Sequence, residues 1–136
     1  MLFNPKVLAI INLLVQILLL AAMLVATRLA KKKQFIRHCN IIRVAVVLQL
    51  LSTFLLMLPS MLIYLKNAGQ AAFQTEMIVH HSLGVLAVLL WVYINLAMKG
   101  RVRVVWKLAM FMRTTFIIWV LSFLLGLHIY FQLYIS

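Results

Sequence analysis

Four apolar runs, at residues 7–27, 44–65, 77–98 and 114–134, leave this chain of 136 residues little sequence outside them. Crossing about 30 Å of hydrocarbon takes about 20 apolar residues in a helix, and each run supplies that length. A backbone amide in lipid has no water to bond, so only helices or a closed barrel can span. Barrel strands read as alternating segments of about ten residues, whereas these runs are continuous. The expected fold class is all-α integral membrane, a four-transmembrane-helix up-and-down bundle. A single membrane domain, 1–136, with helices at about 7–27, 41–65, 77–98 and 108–134, accounts for the sequence.

Composition agrees, since 67% hydrophobic and 10% charged residues lie outside the range of soluble domains. The net charge of +12 would suggest nucleic acid in a soluble protein, but its distribution gives another reason. Arg28, Lys31, Lys32, Lys33, Arg37 and Arg43 follow the first run, and Lys99, Arg101, Arg103, Lys107 and Arg113 separate the third from the fourth. The other side carries only Lys6 and Lys66. This asymmetry places both basic loops in the cytoplasm, where they meet anionic headgroups, and both termini outside. Nucleic acid is not an expected partner, and the expected location is the cytoplasmic (inner) membrane. The first run reads as a retained anchor, because its apolar core is too long for a signal peptide and Lys31–Lys33 act as a stop-transfer cluster. Cys39 has no second cysteine with which to form an intrachain disulfide.

Within the runs, polar residues recur at helical spacing. Asn12 and Gln16 share a face and point toward another helix, and Gln49, Ser52, Thr53 and Ser60 form a stripe in the second run. Pro59 has no amide hydrogen for the carbonyl of Leu55, which predicts a kink that frees that carbonyl. Trp106, Tyr64, Tyr130 and Tyr134 have the chemistry of interfacial anchors.

The candidate chemistry lies in Glu76-Met77-Ile78-Val79-His80-His81-Ser82-Leu83-Gly84, which holds the only acidic residue of the chain. At about 1.5 Å per residue, His80 and His81 sit roughly 5 Å inside the outer boundary and His128 roughly 9 Å, about one turn apart in depth. Intramembrane ionisable residues mark function by default, and imidazole is a common ligand of metals and of haem iron. Gly84 lies one turn from the two histidines and would let a flat macrocycle approach the backbone. Haem b on His80 or His81 and His128 is one expectation. Copper held by His80, His81, His128 and the thioether of Met77 is another. Two features oppose haem. His128 lies nearly opposite the Thr115, Trp119, Ser122, Gly126 stripe, and helices packed at about 8–10 Å leave no room for a porphyrin. A third reading needs no cofactor: the histidines reach headgroups and water as amphipathic side chains do, and Gly84 is a helix contact. His38 lies at the other side of the membrane, away from this group.

Other chemistries are poorly supplied. A single carboxylate excludes paired acid/base catalysis and carboxylate metal cages, and the sequence has no phosphate-binding glycine loop and no nucleophile motif.

Arg37-His38 leading into helix two, His80 or His81 followed by Leu83-Gly84, and Arg113, Trp119, Gly126 and Tyr130 in helix four resemble a family of small four-helix bacterial and archaeal membrane proteins. That family is of unknown or assembly function and is often associated with haem-copper oxidases. The resemblance covers about residues 35–134. It departs where Val104, Val105 and Trp106 stand in a loop that carries a histidine in the family, and His81 and His128 are additional. It implies a respiratory-chain context. The likeness to four-helix b-type cytochromes is one of architecture. Two functions are expected on this basis: an electron-transfer protein with a b-type haem or copper, or a cofactor-free small subunit or assembly factor of a larger complex such as a terminal oxidase. The partners are then the lipid bilayer, a larger respiratory complex or quinone, and a second copy of the chain.

Overall fold

The computed structural model describes residues 4–66, 74–103 and 107–135, with the side chains of residues 64 and 65 excepted. The interfacial roles expected of Tyr64 and Trp106 lie outside what is described. Helix α1 spans Pro5–Lys31, α2 Phe35–Ser52, a π turn Thr53–Met57, α3 Leu58–Lys66, α4 Gln74–Met98 and α5 Leu108–Tyr134. There is no strand among the described residues. Four helical stretches are long and apolar enough to cross a membrane: Pro5–Lys31, Phe35–Ile63, Gln74–Met98 and Leu108–Tyr134. The all-α membrane fold class is that of the structure.

Local chemistry sets the ends. Asn4 caps α1, its Oδ1 accepting from the Lys6 amide at 3.0 Å, and Pro5 occupies a first-turn position where a missing amide costs nothing. At the other end α1 runs four residues beyond the expected Thr27, because its last turn ends in a closed motif. Lys33 takes a left-handed φ of 59°, its amide donates to Ala30 O at 3.0 Å, and the Gln34 amide donates to Leu29 O at 2.9 Å. This pattern satisfies carbonyls that a helix end leaves orphaned. Only Lys32, Lys33 and Gln34 then separate α1 from α2, so α2 begins at Phe35, well before the expected residue 41. The end of α4 repeats the motif with Gly100 (φ 69°) in the left-handed position. There the Gly100 amide donates to Ala97 O and the Arg101 amide to Leu96 O, each at 3.0 Å.

The chain forms two compact units, Met1–Ala68 and Gly69–Ser136. In the first, α1 packs along α2, the π turn and α3, burying Leu8, Leu19, Met23 and Ala26 with Ala45, Val46 and Met57. In the second, α4 packs along α5. Gly84, Ala87, Trp91 and Ile94 face Thr115, Trp119, Ser122 and Ile129, with the indole rings of Trp91 and Trp119 5.7 Å apart. Many other large apolar side chains, such as Leu18, Phe54, Leu89 and Ile117, are exposed, as lipid-facing surfaces should be.

A π turn, Thr53–Met57, lies on the N-terminal side of Leu58 and Pro59. The Leu58 amide reaches back five residues to Thr53 O, so an extra residue enters the turn ahead of the proline. It breaks the polar stripe of the second run. Gln49 and Ser52 face α1, whereas Thr53 Oγ1 turns back to donate to Gln49 O at 2.8 Å and Ser60 Oγ to Met57 O at 2.9 Å.

Candidate functional site

The first turns of α4 and the last turns of α5 meet at one end of the second unit. His80 is the centre of this contact. Its Nδ1 lies 2.8 Å from Ser122 O, and a carbonyl can only accept, so the bond requires the proton on Nδ1. Ser122 returns the bond, its Oγ donating to His80 O at 3.1 Å. Each side chain thus reaches the backbone of the opposite helix. The imidazole can come this close because Gly126 follows Ser122 by one turn. A Cβ placed on Gly126 would stand 2.6 Å from His80 Cε1 and 3.2 Å from Nε2, so the ring fills the space of the missing side chain. Ser122 and Gly126 form a small-xxx-small pair, the pattern that lets membrane helices approach closely. Interhelical hydrogen bonds in bilayers average about 0.6 kcal/mol each, so this clasp contributes on the order of 1 kcal/mol plus its packing.

His81 turns the other way. Its Nδ1 bonds Met77 O of its own helix at 2.7 Å, and its ring meets that of His80 edge to face at a centroid distance of 5.0 Å. Met77 therefore meets His81 through its backbone carbonyl. Gly84 is buried on the α4 face that carries Ala87, Trp91 and Ile94 toward α5.

His128 is exposed and lies off the buried stripe of α5, as the helical angle requires. It meets Glu76, with Nε2 3.8 Å from Oε2. That oxygen is itself buried and makes no hydrogen bond among the described residues. The histidine expected to share a cofactor with His80 is thus beside the one carboxylate of the chain, while the counterpart of His80 is Ser122 and Gly126. No group of three or more His, Cys, Asp or Glu side chains able to hold a metal ion occurs among the described residues.

The first unit has its own polar contacts. Gln16 Nε2 donates to Gln49 Oε1 at 3.0 Å and to Ser52 Oγ at 3.4 Å, and Ser52 Oγ donates to Asn12 Oδ1 at 2.6 Å. Gln16, Gln49 and Ser52 are buried near the middle of the span, where a polar group without a partner would be costly. At the basic end, His38 Nδ1 lies 2.8 Å from Ala26 O and ties α2 to α1.

Chemically, three of the four histidines follow one pattern. His38, His80 and His81 each put Nδ1 against a backbone carbonyl, which leaves Nε2 with the lone pair of the neutral ring. Sequence reasoning found the Ser122–Gly126 stripe but did not assign it to His80. The signal was there, since two small residues one turn apart at the depth of a histidine make a receptor for its ring. It also missed the Glu76–His128 pair, which the pairing tendency of intramembrane ionisable groups would have suggested. Comparison with protein-family models, curated proteins and solved structures finds no match to this chain.

Proposed function

We propose that this chain is a non-catalytic membrane subunit or assembly factor of a larger membrane complex, in which His38, His80 and His128 meet neighbouring helices rather than ligate a cofactor. The observation that carries this reading is the reciprocal bonding of His80 and Ser122, with the His80 ring seated on Gly126. A side chain held on both its polar edge and its ring face is serving helix contact. The intramembrane polar groups of the first unit are likewise spent on one another. The apolar faces that remain suit lipid or the helices of a partner complex, and the resemblance at Arg37-His38 and His80 to Gly84 suggests a respiratory oxidase as that complex. On this reading the chain sits in the cytoplasmic membrane with both basic turns in the cytoplasm.

One observation favours a second reading. A histidine that ligates through Nε2 usually donates Nδ1–H to a carbonyl, which is the arrangement of His80 and His81. One of these two with His128 would then hold a b-type haem, or both with His128 and Met77 would hold copper, and either group would supply one-electron transfer. His128 as second ligand would have to leave Glu76.

The deciding experiment is native electrophoresis of membranes solubilised in mild detergent, with a visible spectrum of the purified protein, oxidised and reduced. The subunit reading expects migration with a larger complex and a spectrum without a haem band. Migration as the free 15.7 kDa chain, together with a reduced α-band lost in His80→Ala, would overturn it.

A further inference from the structure

Between α1 and α2 lies an exposed groove of about 590 Å³, its walls running from Val15 to Val25 on α1 and from Asn40 to Leu48 on α2. Its position follows from the two ties of the hairpin. Gln16 and Gln49 cross-link the helices at one end, and His38 bonds Ala26 O at the other. Between those ties the small side chains of Ala22 and Ala45 leave the interhelical space unfilled. The lining is apolar except for Asn40, which stands at the basic end.

The walls continue into charge. On α1, Arg28 follows Val25 by three residues, and on α2, Arg37 precedes Asn40 by three, so each stands on the same helical face as the wall it extends. Both arginines are exposed. Lys31, Lys32 and Lys33 lie between them in sequence, and the first 75 residues contain no Asp or Glu to compete for them. Arginine pairs bind phosphate through planar, bidentate geometry.

The length of the groove selects its occupant. From Val15 to Val25 it extends about 15 Å, half of the roughly 30 Å hydrocarbon thickness. A partner helix crossing the bilayer would be matched by a groove along the whole span. An acyl chain belongs to one leaflet and fits this one.

We infer that the groove binds an anionic phospholipid of the bilayer, with one acyl chain between α1 and α2 and its phosphate between Arg28 and Arg37, beside Asn40. The site is independent of the proposed membership of a complex, because it requires only the first unit and a bilayer.

The test reconstitutes the full chain in equimolar phosphatidylglycerol and phosphatidylcholine, extracts it gently in detergent, and identifies retained lipid by native mass spectrometry. The wild type should retain phosphatidylglycerol in preference to phosphatidylcholine. Arg28→Gln and Arg37→Gln should each reduce that preference about fivefold. Ala22→Phe, which fills the groove, should lose retention of both lipids, with helicity by circular dichroism unchanged. Val44→Trp provides a second filling variant should Ala22→Phe fail to fold, and the two arginine variants leave the packing untouched. Equal retention of the two lipids by the wild type would overturn the assignment. So would unchanged retention in the folded variants, or a co-purifying protein, rather than lipid, displaced by groove filling.

Discussion

A residue without a side chain decides how the second pair of helices meets. The space above Gly126 is occupied by the His80 ring, whose Nδ1 is anchored on Ser122 O at 2.8 Å. A methyl group at position 126 would stand 2.6 Å from Cε1, too close for the ring to remain. Gly126→Ala should therefore displace the imidazole, break its bond to Ser122 and destabilise the unit by about 1–3 kcal/mol. Unfolding in mixed detergent micelles would measure this. In the His80→Ala background the same substitution should cost much less, because the atom it collides with is gone. Equal costs in both backgrounds would mean that the contact is not where the destabilisation arises. At this scale the sequence was only partly legible. Depth placed His80 and His128 together and helical angle set His128 apart, but which residue receives the His80 ring depends on how α4 and α5 pack, and one sequence carries little trace of that. The partner of His128 was legible in principle, because the chain has only one carboxylate.

Helices were legible wherever the apolar period was unbroken. Their ends were not, because they rest on caps. The two basic turns share a hydrogen-bond pattern, with a left-handed residue one position past the helix cap. Glycine announces this at position 100, whereas lysine at position 33 gives no such signal and holds φ 59° at a cost of about 1 kcal/mol. Lys33→Gly should thus stabilise the first unit by about 1 kcal/mol, and Gly100→Ala should destabilise the second by a similar amount. Thermal unfolding in detergent checks the opposite signs. The polar ties between α1 and α2 make a second prediction. Gln49→Leu removes one acceptor of Gln16 and leaves Ser52 in reach, so the loss should stay near 1 kcal/mol and below about 2. A larger loss would show that the bond to Gln49 is worth more than an average interhelical bond. The π turn on the N-terminal side of Leu58 and Pro59 was not readable, because the extra residue is accommodated by packing against α1.

For the molecule as a whole, charge carries more information than any side-chain contact. Eleven of the thirteen cations lie in or beside the α1–α2 turn and the segment between α4 and α5, which the proposed four-span topology would put on one side of a membrane. On that proposal the membrane potential opposes translocating such a cluster, and anionic headgroups favour its staying on the cytoplasmic face. With Cys39, the one native cysteine, replaced by Ser, single cysteines at Lys33, Arg101 and Thr75 can report sidedness to an impermeant thiol reagent. In intact cells Thr75→Cys should react, and Lys33→Cys and Arg101→Cys should react only after the membrane is opened. Reaction at position 33 in intact cells would reverse the orientation. Reaction at position 33 without reaction at 101 would break the four-span topology itself. Because the asymmetry rests on many charges, neutralising Lys31, Lys32 and Lys33 together should still leave the majority of chains in the original orientation, with eight cations against two. A chain inverted by that change alone would show that the first turn, rather than the sum of both, sets the topology.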